Sequence, residues 1–151
     1  MSEVIATACV EDISCRVGEV SDVTGKVFAV LSQDELAAQI KHIRSPAVGV
    51  IYNGIAPIGS GDPQAKGMGG ILNVSVVLFV EGRGIANLDL KNEATKYLDL
   101  MRTAIRRKDR PSEARAPGGH FWRFAGEQPA GSVGKYSAYV QRWATMVTVN
   151  T

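Results

Sequence analysis

The sequence predicts an α+β fold: a mixed, mainly antiparallel sheet with helices packed on one face. Three observations predict it. Apolar side chains alternate with others through 71–81 and again through 135–150, the period of a strand. Apolar residues recur at three- and four-residue intervals in 5–13 and 94–105, the period of a helix. The helical stretches bracket and separate the strands, and no internal repeat or domain boundary interrupts them.

The elements follow in order. Ile5, Cys9 and Ile13, with Ala8 beside them, form one stripe, while Glu3, Glu11, Asp12 and Arg16 lie off it, which predicts a short amphipathic helix. Cys9 and Cys15 sit about 240° apart around that helix and cannot bridge each other there. They read as two thiols of a reducing compartment. Lys26–Leu31 is branched and aromatic after Gly25 and predicts a strand. Ser32 and Glu35 spell a capping box, so a second helix should start there and run to about His42.

Ser45-Pro46 blocks helical continuation, and Ala47–Asn53 reads as a buried strand. Six glycines and two prolines fall in the seventeen residues 54–70, which predicts a long loop. Ile71–Glu81 is the clearest strand, with Leu72, Val74, Val76, Leu78 and Val80 on one face and the mixed set Ile71, Asn73, Ser75, Val77 and Phe79 on the other. Gly82–Asn87 should turn the chain into the longest helix, Leu88 to about Lys108, in which Ala94, Tyr97, Leu98, Met101 and Ile105 keep the 3-4 spacing. Asp109–Gly119 is expected to be a loop, His120–Ala125 a strand, Gly126–Gly134 a turn-rich connection, and Lys135–Asn150 a long final strand pairing antiparallel with the strand before it.

Composition narrows the function. Seventeen basic and fifteen acidic residues leave a net charge of +2 over 151 residues, too little for a general nucleic-acid attractant. A chain of this length buries enough surface to build a core without metals or disulfides. The start Met1-Ser2-Glu3 lacks a basic segment followed by an apolar one, so no secretory signal is expected. The longest run of Val, Leu, Ile or Phe, Val76–Val80, is far too short to span a bilayer.

Chemistry-bearing patterns are sparse. His42 and His120 are the only histidines and belong to no metal-ligand spacing. A Gly-x-Ser-x-Gly elbow is missing, and nothing in the sequence argues that Glu81 and Asp89 converge. The run Glu81-Gly82-Arg83-Gly84-Ile85-Ala86-Asn87 follows a strand and opens a helix, where backbone amides could cradle an anion. It lacks the third glycine of a dinucleotide fingerprint, since Asn87 stands there.

The main charge asymmetry is Arg102–Arg115. It holds Arg102, Arg106, Arg107, Lys108, Arg110 and Arg115 against Asp109 and Glu113. Such a segment is either a solvated helix end and loop or a docking surface for an acidic partner or for passing DNA. Connecting sequence in 54–70, 109–119 and 126–134 is heavy for a compact monomer. The final strand, well beyond the usual ~5–6 residues, would expose an open edge unless something covers it. Self-association is the inference drawn from both. Trp122 and Trp143 are candidate aromatic anchors of the contact, with core packing as the alternative. Arg106, Arg107, Lys108 and Arg110 are the candidate electrostatic contacts.

The N-terminal helix, the stretch Ser45-Pro46-Ala47-Val48-Gly49-Val50-Ile51-Tyr52-Asn53-Gly54 leading into glycine-rich sequence, the strand ending Leu78-Phe79-Val80, the helix with Leu98-Asp99-Leu100 and the closing Lys135-Tyr136-Ser137-Ala138-Tyr139-Val140-Gln141-Arg142-Trp143 give the chain a resemblance. In the order of its elements it resembles the tail terminator and tail completion proteins of long-tailed bacteriophages, the lambda-type minor tail proteins and their Mu-like relatives. The resemblance implies one tail-terminator-like domain over residues 1–151 and a non-enzymatic virion protein without cofactor. It also implies a late protein assembled in the host cytoplasm and located at the head-proximal end of the tail. Copies would form a homohexameric ring that caps the tail tube, stops its polymerisation and docks the head–neck connector, while DNA passes through the lumen without sequence-specific binding and no membrane is involved. The residues leave two other readings open: another head–tail connector subunit of the neck, or a small nucleotide- or phosphate-binding enzyme using the Gly82–Asn87 turn.

Overall fold

A computed structural model describes residues 5–23, 26–30, 33–41, 44–58, 68–81, 87–106 and 115–149. In chain order the elements are α1 (Ile5–Val17), a short 3-10 turn (Ser21–Val23), β1 (Val27–Val30), α2 (Gln33–Ile40), β2 (Ala47–Pro57), β3 (Met68–Glu81), α3 (Asn87–Arg106), β4 (Arg123–Val133) and β5 (Tyr136–Val149). The five strands form one sheet in the order β1-β2-β3-β5-β4. β1 runs parallel to β2 and every other neighbouring pair is antiparallel, so the class is α+β with a mixed, mainly antiparallel sheet.

Alternation sorts the sheet into two apolar faces. Val48, Val50, Leu72, Val74, Val76, Leu78, Val80, Trp143 and Val147 point to the face covered by the two long helices. α1 contributes Cys9, Val10, Ile13 and Val17, and α3 contributes Ala94, Tyr97, Leu98, Met101 and Ile105. Each fully buried aliphatic side chain there is worth roughly 1.5–3 kcal/mol. Burial, with Asp12 nearby, pushes the Cys9 thiol up to about 11, so it is a neutral core group, whereas Cys15 is exposed. On the opposite face Val30, Ile51, Val77, Phe79, Tyr136, Ala138 and Val140 form a second cluster, onto which Phe28 and Leu36 of α2 pack. The Phe28 ring lies beside Gly49 and stacks on Phe79 at 6.2 Å between centroids.

Three expectations need correction. Residues 54–70 are not one loop: β2 continues to Pro57 and β3 begins at Met68. Gly54, Gly69 and Gly70 are absorbed within the strands. Asn53 bulges out of the β2–β3 ladder, and Gly54 takes the left-handed φ of 100° that the bulge requires. Likewise 126–134 is not a turn-rich connection but most of β4. Two bulges, between Phe124 and Gly126 and between Pro129 and Ser132, take up the residues that do not suit a regular strand. The turn itself is only Gly134-Lys135, with φ 58° at Gly134, the left-handed geometry of tight hairpins.

The third correction concerns the edge. β5 is the second-last strand of the sheet, hydrogen-bonded to β3 along its whole length and to β4 from Tyr136 to Ala144. The open margins are the four-residue β1 and the bulged β4. Several sequence expectations lie outside the described residues: the Ser32 cap, His42, turn residues 82–86, and residues 107–114 with Arg107, Lys108 and Arg110.

Candidate functional site at the open margin of the sheet

The structure separates the predicted interface residues. Trp143 and Trp122 are both core residues, almost wholly buried. Trp143 donates its indole N–H to Gln141 Oε1 at 3.2 Å, and Trp122 donates to Asp12 Oδ2 at 2.8 Å. Neither presents a surface to a partner in this chain. Arg106 is exposed at the last turn of α3, and among the described residues it has no ion-pair partner.

Two polar clusters hold the α3 side of the molecule in place. In the first, Asp12 accepts from both Trp122 Nε1 and Arg16 Nε, each at 2.8 Å. The Arg16 guanidinium then donates to the Ile105 carbonyl (3.2 Å) and to the Arg115 carbonyl (3.0 Å). Ile105 lies in the last turn of α3, where carbonyls have no intrahelical donor, so Arg16 serves as its cap. One partly buried ion pair thereby joins α1, the end of α3 and the segment leading to β4. Beyond it Arg115 donates to the Gly119 carbonyl and lies 4.5 Å above the exposed Phe121 ring.

In the second cluster Gln141, fully buried on β5, uses both amide N–H donors and one lone pair of its oxygen. It donates to the Leu98 carbonyl of α3 and to Glu127 Oε1 of β4, both at 2.8 Å, and accepts from Trp143. Glu127 and Asp99 both accept from Arg102. Burial alone would lower the Arg102 pKa, but hydrogen bonds to Asp99 and Glu127 and their charges outweigh it and raise the value, so the guanidinium stays ionised.

Between these clusters α3 and β4 diverge and leave an open cleft of about 290 Å³, lined by Asp99, Arg102, Thr103, Arg106 and Phe124. The helical residues are spaced 3, 4 and 7 apart and share one face. Phe124 packs edge-on against Trp143, 5.3 Å between centroids, yet remains 42% exposed. An exposed aromatic beside a guanidinium that has no ion-pair partner among the described residues can bind a protein side chain non-covalently: apolar contact on the ring, a carboxylate on the cation. A second apolar group lies at the far end of the face on which α2 packs, where Ala56, Ile71 and the half-buried Met146 form one cross-strand row and the exposed Ile58 stands nearby.

Sequence reasoning points to Arg106 and misses Phe124, whose only signal is its place in the alternating stretch from 120 to 125. Gln141 is legible as the one amide in the last strand. Among the described residues no group of three or more His, Cys, Asp or Glu is placed to hold a metal ion, and no helix is long and apolar enough to cross a membrane.

No known protein family matches the sequence, and no curated protein does. The fold is similar to that of a solved chain from the virion of a native gene transfer agent (GTA) particle. The match has a TM-score of 0.55 at 11% identity and covers 97% of this chain and 99% of that chain. At that identity the likeness is one of fold.

Proposed function

We propose that this chain is a structural protein of a phage-like virion and, within that class, a tail terminator. Copies close into a homohexameric ring on the head-proximal end of the tail tube, stop its growth and offer their other face to the head–neck connector, with DNA threading the lumen. The observation that carries the reading is the end-to-end fold correspondence with a chain of a gene transfer agent virion. The order of elements, which resembles the phage tail terminators, supports the finer assignment. A surface suited to side-chain recognition at the α3–β4 cleft agrees with a role in assembly. Another connector subunit of the neck fits the same fold correspondence and is separated by the same experiment.

The test is mass by light scattering, then co-assembly with the tube protein of the same particle. The expected outcome is a species of roughly six times the 16.2 kDa monomer that arrests tube growth when added. A ring that leaves tube growth unchanged identifies a connector subunit instead. A chain that stays monomeric at high concentration, with and without tube protein, overturns the proposal.

A further inference from the structure

On the ring reading, the α3–β4 cleft needs an occupant, and the same molecule carries a complementary surface. The outward stripe of α1 is Thr7, Glu11 and Cys15, continued just past the helix by Glu19, all exposed and four residues apart. Its charged members are both acidic. Arg16, the basic residue within the helix, is turned inward onto Asp12, Ile105 and Arg115. The short side chains of Thr7 and Cys15 flank Glu11, so another surface can approach the helix closely there.

α1 and α3 pack side by side in one helical layer, the acidic stripe on the first and the cleft on the second. α1 packs over β1 and β2, α3 packs over β3 and contacts β5 through Gln141, and the cleft lies beyond α3 against β4. Its outer cation, Arg106, begins the basic run Arg106-Arg107-Lys108. Glu11 and Arg106 form no ion pair within a copy among the described residues. Between copies they can.

We infer that the α1 stripe of one copy docks into the α3–β4 cleft of the next, with Glu11 on Arg106 and the short side chains of Thr7 and Cys15 against Phe124. Joining unlike patches makes a head-to-tail contact, the kind that closes into a ring when the rotation between copies allows. Strand-to-strand pairing is a poorer way to join copies. β1 offers four residues, and β4 carries two bulges and Pro129, features that blunt an edge against strand addition.

A charge swap tests the contact in the full chain. Sedimentation velocity is run over a concentration series on wild type, Glu11→Arg, Arg106→Glu and the double variant, with circular dichroism to check folding. Each single reversal should weaken association at least ~10-fold, and the double swap should restore most of it. Association of the wild type should also weaken with added salt. Glu11→Gln and Arg106→Gln remove charge without reversing it, should act in the same direction with smaller effect, and stand in for a reversal that fails to fold. A wild-type ring that the single variants leave intact, or that the double swap does not rescue, overturns this interface and leaves the ring standing. A wild type that stays monomeric at high concentration, with and without tube protein, removes the ring, and the interface with it.

Discussion

Asp12 carries more of the structure than its partly exposed position on α1 suggests. Its carboxylate is the acceptor for Trp122 and the counter-ion of Arg16, which in turn holds the last turn of α3 and the Arg115 carbonyl. Removing it leaves an indole N–H and a mostly buried guanidinium short of an acceptor, and a donor left unsatisfied costs more than the mean value of a hydrogen bond. Asp12→Ala should therefore destabilise the fold by about 2–3 kcal/mol, the range for losing a charged hydrogen-bond partner. Asp12→Asn keeps an acceptor oxygen and should cost about half of that. Urea unfolding followed by tryptophan fluorescence measures both; equal losses would mean that charge, rather than the acceptor, is what Trp122 and Arg16 require.

The strands β2 and β3 give a contrast between two glycines. A Cβ on Gly70 would fall 2.5 Å from Ile55 Cγ2, next to the branch point of a side chain fixed by its own strand. A Cβ on Gly49 would fall 2.9 Å from the outer atoms of the Phe28 ring, which can swing aside. Gly70→Ala should lower stability by about 1–3 kcal/mol and Gly49→Ala by under about 1 kcal/mol, the difference between overpacking a rigid neighbour and a movable one. Thermal melts of the two variants rank them. These strands also mark where the sequence is legible. α1, α3 and β3 are readable because an unbroken apolar period of 3.6 or 2 runs through each. β2 beyond Asn53 and β4 beyond Ala125 are not, because Gly54, Gly126, Pro129 and Gly131 are read locally as breakers. Their bulges exist only once a partner strand defines a register. The cleft is half legible: the charge of Arg106 is local information, but the approach of Phe124 to α3 depends on the pairing of β4 with β5, which sets Phe124 opposite Trp143.

Across the whole molecule, connectivity inverts the expectation for the last strand. Its length suggests an exposed margin, yet β5 is flanked on both sides and pairs with β3 without a break in register. Amide protons of β3 and β5 should exchange only through global opening, and those of β1 and β4 through smaller events, as free energies of opening fall toward edges. Native-state hydrogen exchange resolved by segment checks this; protection in β4 equal to that in β5 would show that the margin is covered by another copy. The placement of β5 has a consequence for synthesis. The β3 strand leaves the ribosome about 60 residues before the one that must lie beside it, as the pairing Phe79 with Ala138 requires. Throughout that interval the nascent chain carries an apolar ribbon with one flank unoccupied, the kind of species chaperones bind. Slowing translation between β3 and the final hairpin should therefore lower the yield of native protein.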